Sequence, residues 1–298
     1  MSDKKLQPAV IALGYFDSVH RGHREVISRA RALADLLKVR LAVFTFGGNL
    51  KASLCGGEEK YVYSPKERAG ILYSLGADEI IFAPVDEEFL STDRREFLEN
   101  LDVKYDVKGY VCGDDYRFGR AGEGDVAYLS DYALEKGKKL IVCETVMTGG
   151  EKISTTMIKK LLAEGDIRRA NDCLGSPFFI TGEVAEGRKV GRKLGFPTVN
   201  LAIDKDKQAL KDGVYAGHVN IGGIKYRAII NYGTRPTFGL SDKTAEAHIL
   251  GFEGDLYGQE LTLYFQGYMR EVKRFAKEED LAAQLSADRA DAASGKYD

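Results

Sequence analysis

Two histidines, His20 and His23, stand three residues apart in the stretch Gly14-Tyr-Phe-Asp-Ser-Val-His20-Arg-Gly-His23, just after the apolar run Ala9 to Leu13. The residues that follow are charged and carry helical spacing, so the stretch reads as a strand, a glycine turn and a helix start. Side chains three apart on a helix share a face, which lets both imidazoles reach one group. The first N–H groups of a helix are unpaired, and the macrodipole leaves about half a positive charge there, so a helix start attracts anions. A phosphate ester is the ligand this arrangement implies. In isolation the same pair also suits a helix cap or a metal ion.

A second group of residues has different chemistry. Gly191-Arg-Lys-Leu-Gly195-Phe-Pro197-Thr198-Val-Asn200 puts a glycine loop ahead of a hydroxyl and an amide at a strand start. Glycines let backbone N–H groups approach phosphate oxygens, and Thr198 and Asn200 offer hard oxygens of the kind Mg²⁺ takes.

The elements that must hold these residues fall into two rhythms. From residue 9 to about 146, apolar runs (Ala9–Leu13, Leu41–Phe46, Glu79–Ala83, Gly109–Cys112, Leu140–Glu144) alternate with helical patterns at 22–38, 65–76, 92–100 and 125–137, and another follows at 155–164. Strands without strict alternation, separated by helices, predict a parallel sheet covered on both faces, a Rossmann-like α/β domain with ligands at the carboxyl ends of its strands. After about residue 175 come six alternating segments: Phe178–Ala185, Thr198–Ile203, Gly213–Ile221, Lys225–Tyr232, Ala245–Leu250 and Leu261–Met269. They predict a six-stranded antiparallel β-barrel followed by one helix near 277–291. Two short helices joined at Gly165 and ended by Ser176-Pro177 mark the boundary, giving domains over 1–170 and 175–298.

Composition narrows the partners. At 298 residues two domains are expected, and 43 basic against 45 acidic residues argue against a dedicated binder of nucleic acid or anionic membrane. The start of the chain lacks the apolar core of a signal peptide, and no run approaches the ~20 residues of a membrane span. Cys55, Cys112, Cys143 and Cys173 are widely spaced with no CxxC pair, which reads as reduced thiols in a cytoplasmic protein. Small molecules are the expected partners, and a monomer or weak homo-oligomer the expected state.

Gly14-x-Phe16-Asp17-x-Val-His20-x-Gly22-His23 resembles the motif of the nucleotidyltransferase family that includes the adenylyltransferases of pantetheine phosphate, nicotinamide nucleotide and FMN. Cys112-Gly113-Asp-Asp115-Tyr-Arg-Phe-Gly119 and Ile153-Ser154-Thr-Thr156-Met-Ile-Lys159 resemble segments of its flavin branch. In that resemblance Gly113 and Asp115 contact nucleotide, and Ser154, Thr156 and Lys159 hold the triphosphate. Such enzymes form no covalent intermediate, so His20 and His23 would steady the reacting phosphorus and the departing pyrophosphate. The glycine loop ending in Pro197-Thr198-x-Asn200 resembles the riboflavin kinase motif. Gly213-Val-Tyr-Ala, Asn231-Tyr-Gly-Thr-Arg235-Pro-Thr-Phe and Glu246-Ala-His248-Ile-Leu-x-Phe-x-Gly-Asp-Leu-Tyr257-Gly258 follow it in that family's order.

Together the two halves resemble the bacterial bifunctional riboflavin kinase/FAD synthetases over residues 9–290. The resemblance implies ATP as co-substrate, Mg²⁺ at Thr198 and Asn200, and riboflavin, FMN and FAD as substrate and products. It implies Glu246 as the base that accepts the alcohol proton, and Asn231, Arg235 and Tyr257 beside the flavin. His248, on the same strand face as Glu246, reads as structural, and the last helix, with Leu281, Gln284 and Asp288 on one face, resembles a flavin-side wall. The chain departs from the flavin branch at Tyr15, usually Asn, at Ser18, usually Gly, and in Thr45-Phe-Gly-Gly-Asn-Leu-Lys51, usually a loop with Pro and His. A riboflavin kinase with an impaired or altered-specificity N-terminal domain is therefore the alternative.

Overall fold

A computed structural model of the chain describes residues 7–48, 60–185, 198–234, 243–273, 275 and 277–297. Gly191, Gly195, Pro197, Arg235 and Cys55 lie outside them. By contact the chain divides into two compact units, Met1–Thr155 and Thr156–Asp298. That division comes earlier than the boundary read from the sequence at 170–175.

In the first unit five parallel strands lie in the order β3-β2-β1-β4-β5, with β1 Ala9–Leu13, β2 Arg40–Phe46, β3 Glu79–Ala83, β4 Val107–Gly113 and β5 Lys139–Cys143. Every residue of β1 is buried, as a central strand covered on both faces must be. Helix α1 (Arg21–Leu37) covers one face, burying Val26, Ile27, Ala30, Leu33 and Ala34 along a single stripe against β1, β2 and β4. On the other face Ile11, Leu13, Phe44 and Tyr110 pack with Phe97, Leu98 and Leu129. Those three come from α4 (Arg94–Tyr105) and α5 (Val126–Glu135).

Helix α2 (Pro65–Ser74) starts with a capping box: Glu67 N–H donates to Ser64 Oγ, and Ser64 N–H donates to Glu67 Oε2. Two elements were not foreseen. One is α3 (Glu87–Leu90), a single turn capped by Asp86. The other is the hairpin of β6 (Met147–Thr148) and β7 (Glu151–Lys152), whose connecting Gly149 and Gly150 have φ of 55° and 84°.

The second unit opens with α6 (Thr155–Glu164, whose first residue closes the first unit) and α7 (Ile167–Leu174), broken at Gly165 with φ of 80°. Asn171 ties α7 to the barrel: its amide donates to Phe265 O at 2.8 Å, and its Oδ1 accepts from Phe178 N–H at 2.7 Å. The barrel is closed in the order β10-β11-β12-β9-β8-β13. Its strands are β8 Phe178–Ala185, β9 Thr198–Ala202, β10 Gly213–Ile221, β11 Ile224–Thr234, β12 Lys243–Ile249 and β13 Glu260–Arg270, all paired antiparallel. Closure removes both sheet edges. Tyr215, Phe178, Phe265, Ile180, Ile230 and Leu263 are wholly buried in this unit. Helix α8 (Glu278–Ala293) lies outside against β11, where Ala292 meets Val214 and Ile229.

Gly217 on β10 marks the tightest approach in the barrel: a Cβ there would stand 2.1 Å from Tyr264 O and 2.8 Å from Ile230 Cδ1. The first of these is backbone and cannot turn aside. Gly217→Ala should destabilise the barrel by about 1–3 kcal/mol, read as a lowered denaturant midpoint for the full chain. A midpoint equal to the parent's would mean that the strands separate freely at this point.

Candidate active sites

The turn between β1 and α1 is bent onto itself. Phe16 and Val19 have φ of 50° and 42°, values that side-chain-bearing residues rarely adopt. Phe16 folds its ring over Gly14, where a Cβ would fall 2.7 Å from the ring and displace it. His20 caps α1, its Nδ1 accepting from His23 N–H at 3.2 Å. The two imidazoles stack with centroids 3.7 Å apart and planes at 12°, and Phe16 meets His23 edge-on at 5.2 Å. Burial pushes the His20 pKa down to about 4 and holds His23 well below its ordinary value; Lys152 lowers both further, while Asp115 opposes this at His20. Both rings are therefore neutral near pH 7. Because Nδ1 of His20 accepts, its proton sits on Nε2, which is left to donate. His23 Nδ1 is buried without a hydrogen-bond partner among the described residues.

Within the first unit, Ser18 and Asp115 have contacts that bear on this turn. Ser18 Oγ, in the turn before α1, lies 2.9 Å from Oγ1 of Thr155, the last residue of the first unit. Ser154 directly precedes that residue, and Thr156 and Lys159 follow on the same helix. After β4, Asp114 accepts from the Thr145 N–H and hydroxyl at 3.0 and 2.8 Å, and Asp115 pairs with Lys152 of the hairpin at 2.5 Å. A Cβ on Gly113 would stand 3.2 Å from Asp115 Oδ1. Phe16 and Asp17, expected at the nucleotide, are only 1% and 0% exposed. Asp17 accepts from Val62 N–H at 3.2 Å behind the turn.

Beside the turn, at the carboxyl ends of β2 and β4, is a cavity of about 650 Å³ lined by Phe44, Phe46, Phe89, Phe97, Tyr116 and Phe118. Tyr15 packs edge-on against Phe46 of this lining, with ring centroids 5.9 Å apart. Such a slot suits a flat aromatic ligand. In sequence these phenylalanines are scattered and read only as core.

The barrel builds its own site on the face covered by α8. Register places Glu246 of β12 directly opposite Asn200 of β9 on one side and Asn231 of β11 on the other. Thr198 Oγ donates to Glu246 Oε1 at 2.7 Å, so that carboxylate is held as an acceptor. A cavity of about 240 Å³ is lined by Thr198, Asn231, Glu246, His248 and Arg270, with Leu281, Leu285 and Asp288 of α8 forming its far wall. Arg270, which the sequence reading missed, grips Asp288 bidentately at 2.8 and 2.5 Å, and Gln284 donates to the same carboxylate at 2.9 Å. His248 lines the cavity next to Thr198 instead of serving only the strand. Tyr257 lies in the turn before β13, 39% exposed and outside this lining.

Among the described residues no helix is long and apolar enough to cross a membrane. Residues 2–157 match the FAD synthetase family model and residues 174–295 the riboflavin kinase model. The bifunctional riboflavin kinase/FMN adenylyltransferase of Listeria monocytogenes is 32% identical over 95% of this chain and 90% of its own length. The Escherichia coli protein of the same description is 31% identical over 97% and 93%. The crystal structure of a macrolide-efflux protein from Streptococcus pneumoniae superposes with a TM-score of 0.88 at 29% identity, covering 98% of this chain and 96% of that one. With both domains matched in order and relatives aligned from end to end, the chain belongs to the bifunctional riboflavin kinase/FMN adenylyltransferase family.

Proposed function

We propose that the barrel transfers the γ-phosphoryl group of ATP to the primary hydroxyl of riboflavin, giving FMN and ADP. The N-terminal unit then transfers AMP from a second ATP to the FMN phosphate, giving FAD and pyrophosphate. The observation that carries the reading is the Glu246 carboxylate, held by Thr198 in a cavity closed by α8. A carboxylate so placed takes the hydroxyl proton as the bond to phosphorus forms. Asn231 and the α8 wall, held through Arg270 and Asp288, support the flavin; Tyr257 and Arg235 are assigned to its outer side.

The hydroxyl of Thr198 and the amide oxygen of Asn200 are hard oxygens of the kind that suits Mg²⁺. When bound, the ion neutralises phosphate charge. In the N-terminal unit the Nε2–H of His20 and the free N–H groups of α1 receive phosphate oxygens. Ser154, Thr156 and Lys159 carry the remaining phosphates, and Gly113 and Asp115 border the nucleotide. The aromatic cavity takes the isoalloxazine ring of FMN. We assign the domains to 1–170 and 175–298, the setting to a cytoplasm, where the buried thiols Cys112, Cys143 and Cys173 stay reduced, and the state to a monomer or weak homo-oligomer.

The two reactions should be separable by substitution. Glu246→Gln should lower FMN formation from riboflavin at least about 100-fold while FAD formation from supplied FMN continues at the parent rate; His20→Asn should do the reverse. Retention of parent FMN formation by the Glu246 variant would remove it as the base, and absence of FAD and pyrophosphate from parent protein given FMN, ATP and Mg²⁺ would leave a kinase alone. Chelating divalent cations should stop both reactions, and added Mg²⁺ should restore them.

Neutral imidazoles also predict a pH signature. His20 is lowered in the folded chain, so between about pH 6.5 and 4 the unfolded chain binds a proton that the folded one does not. Stability then falls with acidification across that window, by about 1.4 kcal/mol per pH unit for one such group. An NMR titration of the ring Cε1–H, assigned with His20→Asn, should show no inflection for His20 above pH 5. A midpoint near 6.5 would contradict the burial argument.

A further inference from the structure

The strained turn that carries His20 and His23 has to be held by something, because unusual backbone angles persist only where the surroundings over-determine them. The group behind it is Arg68 of α2, whose side chain is wholly enclosed at 0% exposure. Its Nη1 donates to Tyr15 O at 3.1 Å and its Nη2 to Phe46 O at 2.8 Å. Thr45 Oγ donates to the same Tyr15 carbonyl at 2.6 Å, so both lone pairs of that oxygen are occupied. The guanidinium lies 5.8 Å from the ring centroids of Tyr15 and Tyr61 and 5.9 Å from that of Phe82. Asp17, itself 0% exposed, supplies the opposing charge.

Enclosing a guanidinium is costly unless it is paired and hydrogen-bonded, so this arrangement is an expensive way to tie two loops if fold alone were at stake. Its two carbonyl acceptors are telling. One belongs to the residue immediately before strained Phe16; the other ends β2 at the aromatic cavity. One planar fork thus sets the distance between the phosphate-side turn and the flavin-side strand end.

We propose that Arg68 is a positioning residue for adenylyl transfer, clamping the Tyr15 and Phe46 carbonyls so that the α1 start and the aromatic cavity are in register before either substrate arrives. The inference rests on the N-terminal reading given above. Tyr15, where the flavin branch usually has Asn, contributes a ring to the clamp and not only a carbonyl.

The test uses full-length Arg68→Lys and Arg68→Met, with riboflavin phosphorylation in the same preparation as an internal control for intact protein. A lysine keeps the charge but has no planar fork to span two carbonyls. A misplacement of about 1 Å costs on the order of 100-fold in rate. Accordingly, kcat for FAD formation should fall about 100-fold in Arg68→Met and about 10-fold in Arg68→Lys, with KM for ATP and for FMN changed less than about threefold and kinase turnover at parent level. If Arg68→Met does not fold, Arg68→Lys decides. Parent kcat in the lysine variant, with only a lowered melting temperature, would reduce Arg68 to a structural residue and overturn the proposal. Parent protein that makes no FAD from FMN would instead overturn the N-terminal reading itself, and the clamp with it.

Discussion

His20 and His23 stack at 3.7 Å, a separation at which two imidazolium charges would repel by roughly 4 kcal/mol even at an effective dielectric of about 20. Burial removes that conflict by keeping both rings neutral, and the surrounding structure follows from this choice. Neutral rings carry no positive charge of their own. Positive potential at the turn comes instead from the fixed dipole at the start of α1 and from Lys152. The short hairpin after β5 places that lysine against Asp115. Neutrality also settles hydrogen-bond direction: the His23 N–H uses up Nδ1 of His20, so Nε2 must donate. Each of these features would be surplus if the histidines were simply cations.

The barrel positions the Glu246 carboxylate by a different route. Side chains alternate along a strand, and a shift of one residue would turn Glu246 from the α8 face into the core. Its neighbours Ala245 and Ala247 are wholly buried, which fixes that register. The same pairing lines up Asn200, Glu246 and Asn231 across three strands. Helix α8 then covers the row, and the covering is polar as well as apolar: Asp288, 4% exposed, accepts from Nε and Nη2 of Arg270. A bidentate pair of this kind fixes angle as well as distance. The wall opposite Glu246 is therefore set by a strand residue and not by the helix alone.

What could be read in the sequence depended on how local the signal was. The parallel strands and the barrel strands stand where the sequence placed them, within a few residues, because the first are continuous apolar runs between helical patterns and the second alternate between glycine turns. His20, His23, Thr198 and Glu246 were legible because each belongs to a compact segment. Arg68 was not: a lone arginine in a polar-looking helix gives no sign that it is enclosed, and its two acceptors lie 53 and 22 residues away. The contact between Ser18 and Thr155 spans 137 residues, and the aromatic cavity collects phenylalanines from one strand, two helices and a loop. Asp17 shows the converse limit. Inside a nucleotide-binding stretch a carboxylate reads as a ligand contact, yet tertiary packing turns this one toward Val62.

The positions where this chain departs from the flavin-branch pattern bear on the same point. A substitution damages a site when it removes a group the chemistry uses or adds bulk where ligand must enter. Tyr15 enters the turn through its carbonyl, which any residue would supply, and its ring lies at Arg68 and Phe46. Ser18 adds a hydroxyl that bonds Thr155. Thr45, at the head of the divergent loop, directs its hydroxyl at the Tyr15 carbonyl. Tyr15, Ser18 and Thr45 thus hold the turn from behind or bond Thr155 beside it, and none displaces His20 or His23. The strain at Phe16 and Val19 is therefore maintained by packing that runs through the very residues that differ.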